Sequence, residues 1–285
     1  MGVTRKALRF IGGLVVPHSI AVLAARAVAR RRTKARRERL REATTGHGSG
    51  DDSSFGYQEA VRFLVHRGAD REQVLAGSMS EASLHYCGTL LMGHLDAGPA
   101  LGLHIGNFVG VSLAYFTDLL ARHDPASRIV SIDPNVPHRG IHQPLDSVLA
   151  LLERYGLQRN NLILTGYTLE KNLSNDGYSF AGYDPLEHYE QEVSGEHQLE
   201  GLALWSREAF HFCVIDGNHD AAYLRRELAW ITRLLKPGAL LMLDDVADSW
   251  PDIRRVHAET DRARYADVGT DGRVAVMKKI AEAHE

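Results

Sequence analysis

Four acidic residues stand where apolar, strand-like runs of the chain end. Asp133 closes RIVSID, Asp216 follows FHFCVI, and Asp244 and Asp245 follow ALLML. Ligands of open parallel sheets bind at the carboxyl ends of the strands, so these acids are expected at one pocket. Unpaired carboxylates raise each other's pKa, whereas a divalent cation prefers such oxygen ligands. Asp216, Asp244 and Asp245 therefore form a candidate Mg²⁺ site; alternatively, Asp216 and Asp245 only cap the helices that follow them.

His219 follows Asp216 by three residues and is expected to face the same pocket. An imidazole titrates near neutral pH, so it is suited to removing a proton from a substrate. The alternative is a surface residue on the first turn of a helix, since the chain has 15 histidines. The position of His219 favours a general base.

A glycine turn joins the first apolar strand, 101–105, to a helical pattern that begins at Val111. Gly106 and Gly110 let the backbone approach a ligand, and the helix N-terminus offers free N–H groups. After the next strand, Asp133 is placed to accept hydrogen bonds from both ribose hydroxyls of a nucleotide-like ligand. The spacing G-x-x-x-G, instead of G-x-G-x-x-G, disfavours a dinucleotide, and an ordinary turn of an α/β protein remains the alternative.

Strands and helices alternate from residue 101 onwards, which predicts an α/β fold with a mostly parallel sheet and right-handed crossovers. A long polar segment rich in tyrosine, 167–199, interrupts the pattern and predicts a lid or a binding loop, or else a disordered surface loop. The predicted strands are 101–105, 128–132, 161–165, 210–215, 239–243 and 273–277. The predicted helices are 56–67, 70–76, 81–95, 111–122, 145–155, 200–209, 221–235 and 251–263.

The net charge of −3 conceals a strong asymmetry along the chain. Residues 1–42 contain twelve Lys and Arg and two Glu, a net charge of +10, so the remaining residues carry −13. We predict a basic amphipathic helical extension at 1–42 and a Gly/Ser/Asp-rich linker at 43–54. The domain at 55–285 divides into a helical lead-in, 55–98, and a cofactor-binding core, 99–285.

The basic extension is expected to contact an anionic membrane surface or a partner subunit, or else to be a plain solvated helix. Its apolar stretch, 10–29, contains Pro17, His18 and Arg26 and is followed by an arginine cluster, which disfavours a membrane span or a signal peptide. The acidic body disfavours nucleic acid as a substrate. Together these features predict a cytoplasmic protein at the inner membrane face, and a homo-oligomer is compatible with them.

The two cysteines, Cys87 and Cys213, lie far apart and have no metal-type spacing. We expect both to be free buried thiols in a reducing compartment.

The motifs HIGNFVG, SIDPN, LILTG, VIDGNH and KPGALLMLDD resemble those of class I S-adenosylmethionine-dependent methyltransferases, over roughly residues 77–278. The combination of I-D-G-x-H with L-D-D is most similar to the macrocin-type and mycinamicin-type sugar O-methyltransferases, and catechol O-methyltransferase is more distant. The resemblance implies a Rossmann-like sheet of seven strands, the last antiparallel, with helices on both faces.

The resemblance also implies roles for individual residues. In the family, an acid usually stands two residues before the first glycine, and here that position is His104, which as a neutral ring could accept a hydrogen bond from the cofactor's amino group. The cofactor residues implied are His104, Gly106, Asn107, Gly110, Asp133, Gly166, Tyr167 and Asp216; the metal ligands are Asp216, Asp244 and Asp245; and the general base is His219.

The sequence thus predicts an S-adenosylmethionine-dependent O-methyltransferase, assisted by Mg²⁺, that acts on a hydroxyl of a small-molecule, sugar or glycolipid acceptor. Three alternatives stay open. They are a metal-independent methyltransferase of the same fold, a non-catalytic cofactor-binding subunit that docks a partner or a membrane, and an NAD-dependent dehydrogenase, which the glycine spacing and the LDD motif disfavour.

Overall fold

The computed structural model of the chain describes residues 54–169 and 198–280. The predictions for the extension 1–42, for nearly all of the linker 43–54 and for most of the insert 167–199 lie outside the described residues. In the part that is described, no helix is both long and apolar enough to cross a membrane.

Helices and strands alternate along the described residues, after three lead-in helices. The helices are α1 (Tyr57–His66), α2 (Arg71–Ala76), α3 (Glu81–His94), α4 (Val111–His123), α5 (Pro144–Arg154), α6 (Gln198–Trp205), α7 (Ala221–Leu234) and α8 (Pro251–Glu259). The strands are β1 (Leu101–Ile105), β2 (Arg128–Asp133), β3 (Asn161–Thr165), β4 (Phe210–Ile215), β5 (Leu235–Leu243), β6 (Tyr265–Thr270) and β7 (Ala275–Lys279).

The strands form one seven-stranded sheet in the order β3-β2-β1-β4-β5-β7-β6. Strands β1 to β5 pair in parallel, and β7 pairs antiparallel with both β5 and β6. The predicted fold class, a mostly parallel Rossmann-like sheet with an antiparallel last strand, is confirmed.

The strands differ from the sequence pattern at β5, at β6 and at β7, which spans Ala275–Lys279 and not 273–277. Strand β6 was not among the predicted strands, because it lies at the edge of the sheet and only Tyr265 among its residues is buried, which leaves no apolar alternation to detect. Strand β5 starts at Leu235 and runs through Pro237, although Lys236-Pro237-Gly238 was expected to precede it. A proline fits there because β7 pairs with β5 only from Leu240 onwards, so that side of β5 has no ladder at Pro237.

Alternate residues of the strands enter two apolar layers, one on each face of the sheet. Ile129 of β2 packs into the layer built with α1, α3, α4 and α5, whereas Val130 packs into the layer built with α6, α7 and α8. Cys87 and Cys213 are buried, one in each layer, and neither forms a disulfide, as predicted.

Backbone hydrogen bonds continue beyond the strand ends and bring the functional loops to one edge. The N–H of Gly106 donates to the carbonyl of Ile132 at 3.0 Å. The N–H of Asp216 donates to the carbonyl of Ile105 at 2.9 Å, and the N–H of Asp244 to that of Ile215 at 3.0 Å. The predicted site residues therefore meet above the carboxyl ends of β1, β2, β4 and β5.

Candidate functional site

A cavity of about 480 Å³ opens at this edge of the sheet. Its volume lies in the range typical of small-molecule sites. His104, Asn107, Gly110 and Asp244 do not line it. Seven of the predicted site residues do line it: Gly106, Asp133, Gly166, Tyr167, Asp216, His219 and Asp245.

Gly106 and Phe108 of the glycine turn line the cavity. Gly106 has a φ of 84°, and a Cβ built there would lie 1.7 Å from the backbone oxygen of Asp216. Gly110 has a φ of 88° and stands at the N-cap of α4. A glycine is required at position 106 for two reasons. Its φ is positive, and any side chain there would collide with the backbone of Asp216, where the loops after β1 and β4 approach each other.

Asp133 ties the glycine turn to the end of β2. Its Oδ2 accepts the N–H groups of Asn107 at 2.5 Å and Phe108 at 3.3 Å, and its Oδ1 accepts the N–H of Asn135 at 2.5 Å. Burial raises the pKa of this carboxyl, and the three backbone hydrogen bonds oppose that rise. A carboxylate has about four acceptor positions, so about one remains for a ligand, instead of the pair that two ribose hydroxyls need.

His104 and Asn107 are buried and do not line the cavity. The His104 ring is fully buried, its Nε2 is 3.1 Å from Ser112 Oγ, and burial lowers its pKa to about 3. The ring is therefore neutral, as the predicted acceptor role requires, but this placement does not support a direct contact with a ligand in the cavity. The side chain of Asn107 is also buried and donates to Ser131 Oγ at 3.2 Å.

His219 is held by two contacts at the wall of the cavity. Its Nε2 lies 2.9 Å from Asp245 Oδ2, and its ring stacks on the indole of Trp250 with 3.9 Å between the ring centroids. Asp245 has a φ of 59°, which a non-glycine residue rarely adopts and which is typical of functional sites. The predicted general base is thus paired with a carboxylate that orients it.

The helix-cap alternative for the acids is wrong. Asp220 caps α7, because its side chain accepts the N–H of Tyr223, and Trp250 occupies the N-cap position of α8. Asp216 and Asp245 therefore have no capping role at these helices.

The three acids predicted as metal ligands do come together, but an arginine lies among them. One ligand atom from each of Asp216, Asp244 and Asp245 lies within 4.8 Å of the others. Arg273 donates from Nε to Asp244 Oδ1 at 2.9 Å and from Nη2 to Asp244 Oδ2 at 2.8 Å. Its Nε is also 3.5 Å from Asp245 Oδ1.

Charge in this cluster is distributed unevenly. Burial raises the pKa of Asp216 well above its usual value, and the negative charges of Asp244 and Asp245 add to that rise. The carboxylates raise the pKa of Arg273, so the guanidinium is positively charged throughout the working range of a protein. Arg273 donates to both oxygens of Asp244, so a divalent cation would have to displace the guanidinium or bind beside its positive charge, and the donor set as it stands is a poor fit for one.

Three residues that line the cavity were not predicted from the sequence: Arg273, Trp250 and Glu227. Glu227 of α7 lines the cavity, accepts a hydrogen bond from Thr168 Oγ1 on its Oε1, and has no partner for Oε2 among the described residues. Burial raises its pKa to about 8. An acid in the middle of an amphipathic helix carries no signal that would distinguish it from a solvent-facing residue.

A family model described as a methyltransferase domain matches residues 103–246. No curated protein matches the chain. One similar solved structure is an O-methyltransferase from Bacillus cereus in complex with SAH, with 18% identity and a TM-score of 0.51, covering 81% of this chain and 92% of that chain. Another is the O-methyltransferase TomG from Streptomyces achromogenes, involved in tomaymycin synthesis and in complex with SAM, with 14% identity and a TM-score of 0.51, covering 85% of this chain and 95% of that chain.

At these identities the two structures show a shared fold, and the finer placement in the macrocin and mycinamicin branch stays a prediction. The family model is the stronger finding, because it spans the glycine turn, Asp133, His219 and both acids after β5. It covers more than half of the 285 residues, so the chain belongs to the methyltransferase-domain family and is a methyltransferase.

Proposed function

We propose that this methyltransferase uses S-adenosylmethionine and methylates a hydroxyl oxygen of a small-molecule, sugar or glycolipid acceptor. The observation that carries the proposal is the position of His219. Held by Asp245 and Trp250, it lies in the same cavity as the glycine turn and Asp133. The proposed cofactor site and the proposed general base, His219, therefore share one cavity.

The residues at the sheet edge fit the cofactor. Gly106 and Phe108 of the glycine turn line the cavity, and about one acceptor position of Asp133 remains for a ribose hydroxyl. Gly166 and Tyr167 line the same cavity on the side of β3, where the adenine would lie. When bound, S-adenosylmethionine supplies a methyl group on a positively charged sulfur, and its transfer to the acceptor oxygen leaves a neutral thioether.

The protein's own task is to align the acceptor and to remove its proton. His219 takes the hydroxyl proton, and the carboxylate of Asp245 stabilises the imidazolium that forms. An acceptor oxygen that carries a proton needs such a base, which favours O-methylation. The pair also disfavours the non-catalytic alternative, because a docking subunit has no use for an oriented base.

The walls of the cavity favour a small acceptor with both apolar and polar surface. Phe108, Val136 and Trp250 supply apolar area, while His138 and Ser249 supply polar atoms. Aromatic faces and a few polar groups suit a sugar ring or an aromatic ring that carries hydroxyls.

A calorimetric titration of S-adenosylhomocysteine into the full-length protein tests the cofactor assignment. We expect one molecule to bind per chain. If no binding occurs, the assignment of the cavity to this cofactor is wrong. Transfer of a labelled methyl group from S-adenosylmethionine to a panel of hydroxylated sugars, phenols and glycolipids then tests the acceptor class, and labelling of amines alone would contradict O-methylation.

A further inference from the structure

The acidic cluster at the cavity includes a positively charged side chain, Arg273. Arg273 meets Asp244 with two parallel hydrogen bonds, and the Asp244 side chain is 1% exposed. Such a fork is the strongest geometry in which an arginine binds a carboxylate. A divalent ion would have to displace this fork or coordinate the same carboxylate beside a fixed positive charge.

The backbone holds Arg273 in this position from several sides. The N–H groups of Arg273 and Val274 both donate to Asp271 Oδ1, at 2.8 and 2.7 Å. The carbonyl of Arg273 accepts the N–H of Val246 at 2.9 Å, and its Nη1 donates to the carbonyl of Ser78 at 3.2 Å. The backbone of Arg273 is thus held by Asp271 and Val246, and its side chain is held by Ser78 and by the acids after β5.

The antiparallel register of the sheet explains how Arg273 arrives there. Ala275 at the start of β7 pairs with Leu243 at the end of β5. Because the two strands run in opposite directions, the residues just before β7 lie beside Asp244 and Asp245, which just follow β5. The fold itself therefore places the guanidinium of Arg273 beside these acids.

We propose that the guanidinium of Arg273 takes the place of a divalent cation at Asp216, Asp244 and Asp245, so that this methyltransferase works without a metal. Arg273 neutralises Asp244 and part of the charge of Asp245, while the other oxygen of Asp245 orients His219. The proton of the acceptor then passes to His219 with no metal on the acceptor oxygen. The statement about catalysis rests on the proposed O-methyl transfer, whereas the statement about ion binding does not.

Titration of the full-length protein with Mn²⁺, followed by the electron paramagnetic resonance signal of the free ion, tests the ion-binding statement directly. We expect either no stoichiometric binding or binding that persists unchanged in Asp216→Asn, which would place the ion elsewhere. Asp216 makes no hydrogen bond to Arg273, so this isosteric change leaves the fork intact. One Mn²⁺ per wild-type chain that is lost in Asp216→Asn, with the circular dichroism spectrum unchanged, would overturn the proposal.

The variant Arg273→Met tests whether the guanidinium is what excludes the ion. Removing the guanidinium should free the three acids and create a Mn²⁺ site that disappears again in Arg273→Met with Asp216→Asn. Arg255→Met is the matched control, because Arg255 forms an exposed pair with Asp252 away from the cavity and its loss should create no site. If Arg273→Met does not fold, the comparison of wild type with Asp216→Asn still decides the question.

Chelation tests the catalytic statement. Once an acceptor is found, methyl transfer should be unchanged by EDTA and by added Mg²⁺. Activity that is lost in EDTA and restored by Mg²⁺ would contradict it. If no acceptor is ever methylated, the proposed function fails, but the Mn²⁺ titration still decides whether Arg273 excludes the ion.

Discussion

His219 combines three properties that a general base requires: it lines the cavity, a carboxylate orients it, and an aromatic ring supports it. Asp245 reaches it from the loop after β5 and Trp250 from the start of α8. Asp245 also has a φ of 59°, a conformation that a non-glycine residue keeps only where its surroundings hold it.

His219→Ala is expected to lower the rate of methyl transfer by roughly 10²–10⁴-fold, the usual contribution of a positioned base. Binding of S-adenosylhomocysteine should remain, because the glycine turn and Asp133 are untouched. Single-turnover kinetics and calorimetry measure the two effects separately. His257→Ala, which removes a histidine paired with Asp267 on the surface, is the control, and near-normal turnover of His219→Ala would remove His219 from the mechanism.

Glu227 should make the stability of the free protein depend on pH. Its pKa is raised from 4.5 to about 8 in the folded state, so between these values the folded chain holds a proton that the unfolded chain releases. The free energy of unfolding therefore falls as pH rises through this window, by at most about 1.4 kcal/mol per pH unit, and levels off above it. Below the window both states are protonated and Glu227 has no such effect.

Glu227→Gln should remove this part of the pH dependence while keeping the acceptor for Thr168. We expect the variant to gain stability relative to wild type as pH rises from about 5 to about 8, measured by chemical denaturation without ligand. Glu72→Gln, at an exposed position of α2, is the control. Parallel pH curves for wild type and Glu227→Gln would show that Glu227 is ionised in the folded protein.

Among the elements, the turn between β1 and α4 is the most tightly constrained. Gly106→Ala and Gly272→Ala both place an alanine at positive φ, but only the first also places a methyl group against backbone. Positive φ by itself costs roughly 1–2 kcal/mol for a residue with a Cβ.

We therefore expect Gly272→Ala to lose about that much stability and to bind S-adenosylhomocysteine normally. Gly106→Ala should lose clearly more stability and bind the ligand weakly or not at all, because the loops after β1 and β4 must separate. Urea denaturation and calorimetry measure both effects. Equal losses in the two variants would show that the close approach to Asp216 is not a constraint.

The whole molecule divides by charge into a basic extension and an acidic body. If residues 1–42 hold the enzyme at an anionic membrane, the full-length protein should co-sediment with phosphatidylserine-containing vesicles and not with phosphatidylcholine vesicles. High salt should weaken this binding, because exposed charges are screened. A truncated chain, 43–285, that sediments equally well would contradict the role of the extension.

The local pattern of the sequence determined much of this protein. Apolar runs that end in an acid located β2, β4 and the end of β5, and an apolar run that ends in a glycine turn located β1, because strand length and burial are encoded in consecutive residues. The turn at Gly106 and the proposed general base His219 could be placed for the same reason, since each lies within a few residues of a strand end. The edge strand β6 could not, because it buries almost nothing.

Only the tertiary structure decided which groups meet. Arg273 lies 29 residues after Asp244 and reaches it through the antiparallel register of β7 on β5, a pairing that no local spacing encodes. The tertiary structure also decided that His104 is fully buried away from the cavity lining and that Glu227 lines the cavity. Local periodicity is set by neighbours along the chain, whereas charge pairing and burial are set by strand order. The sequence could therefore indicate the three acids that meet at one edge of the sheet, but it could not indicate the arginine that pairs with them.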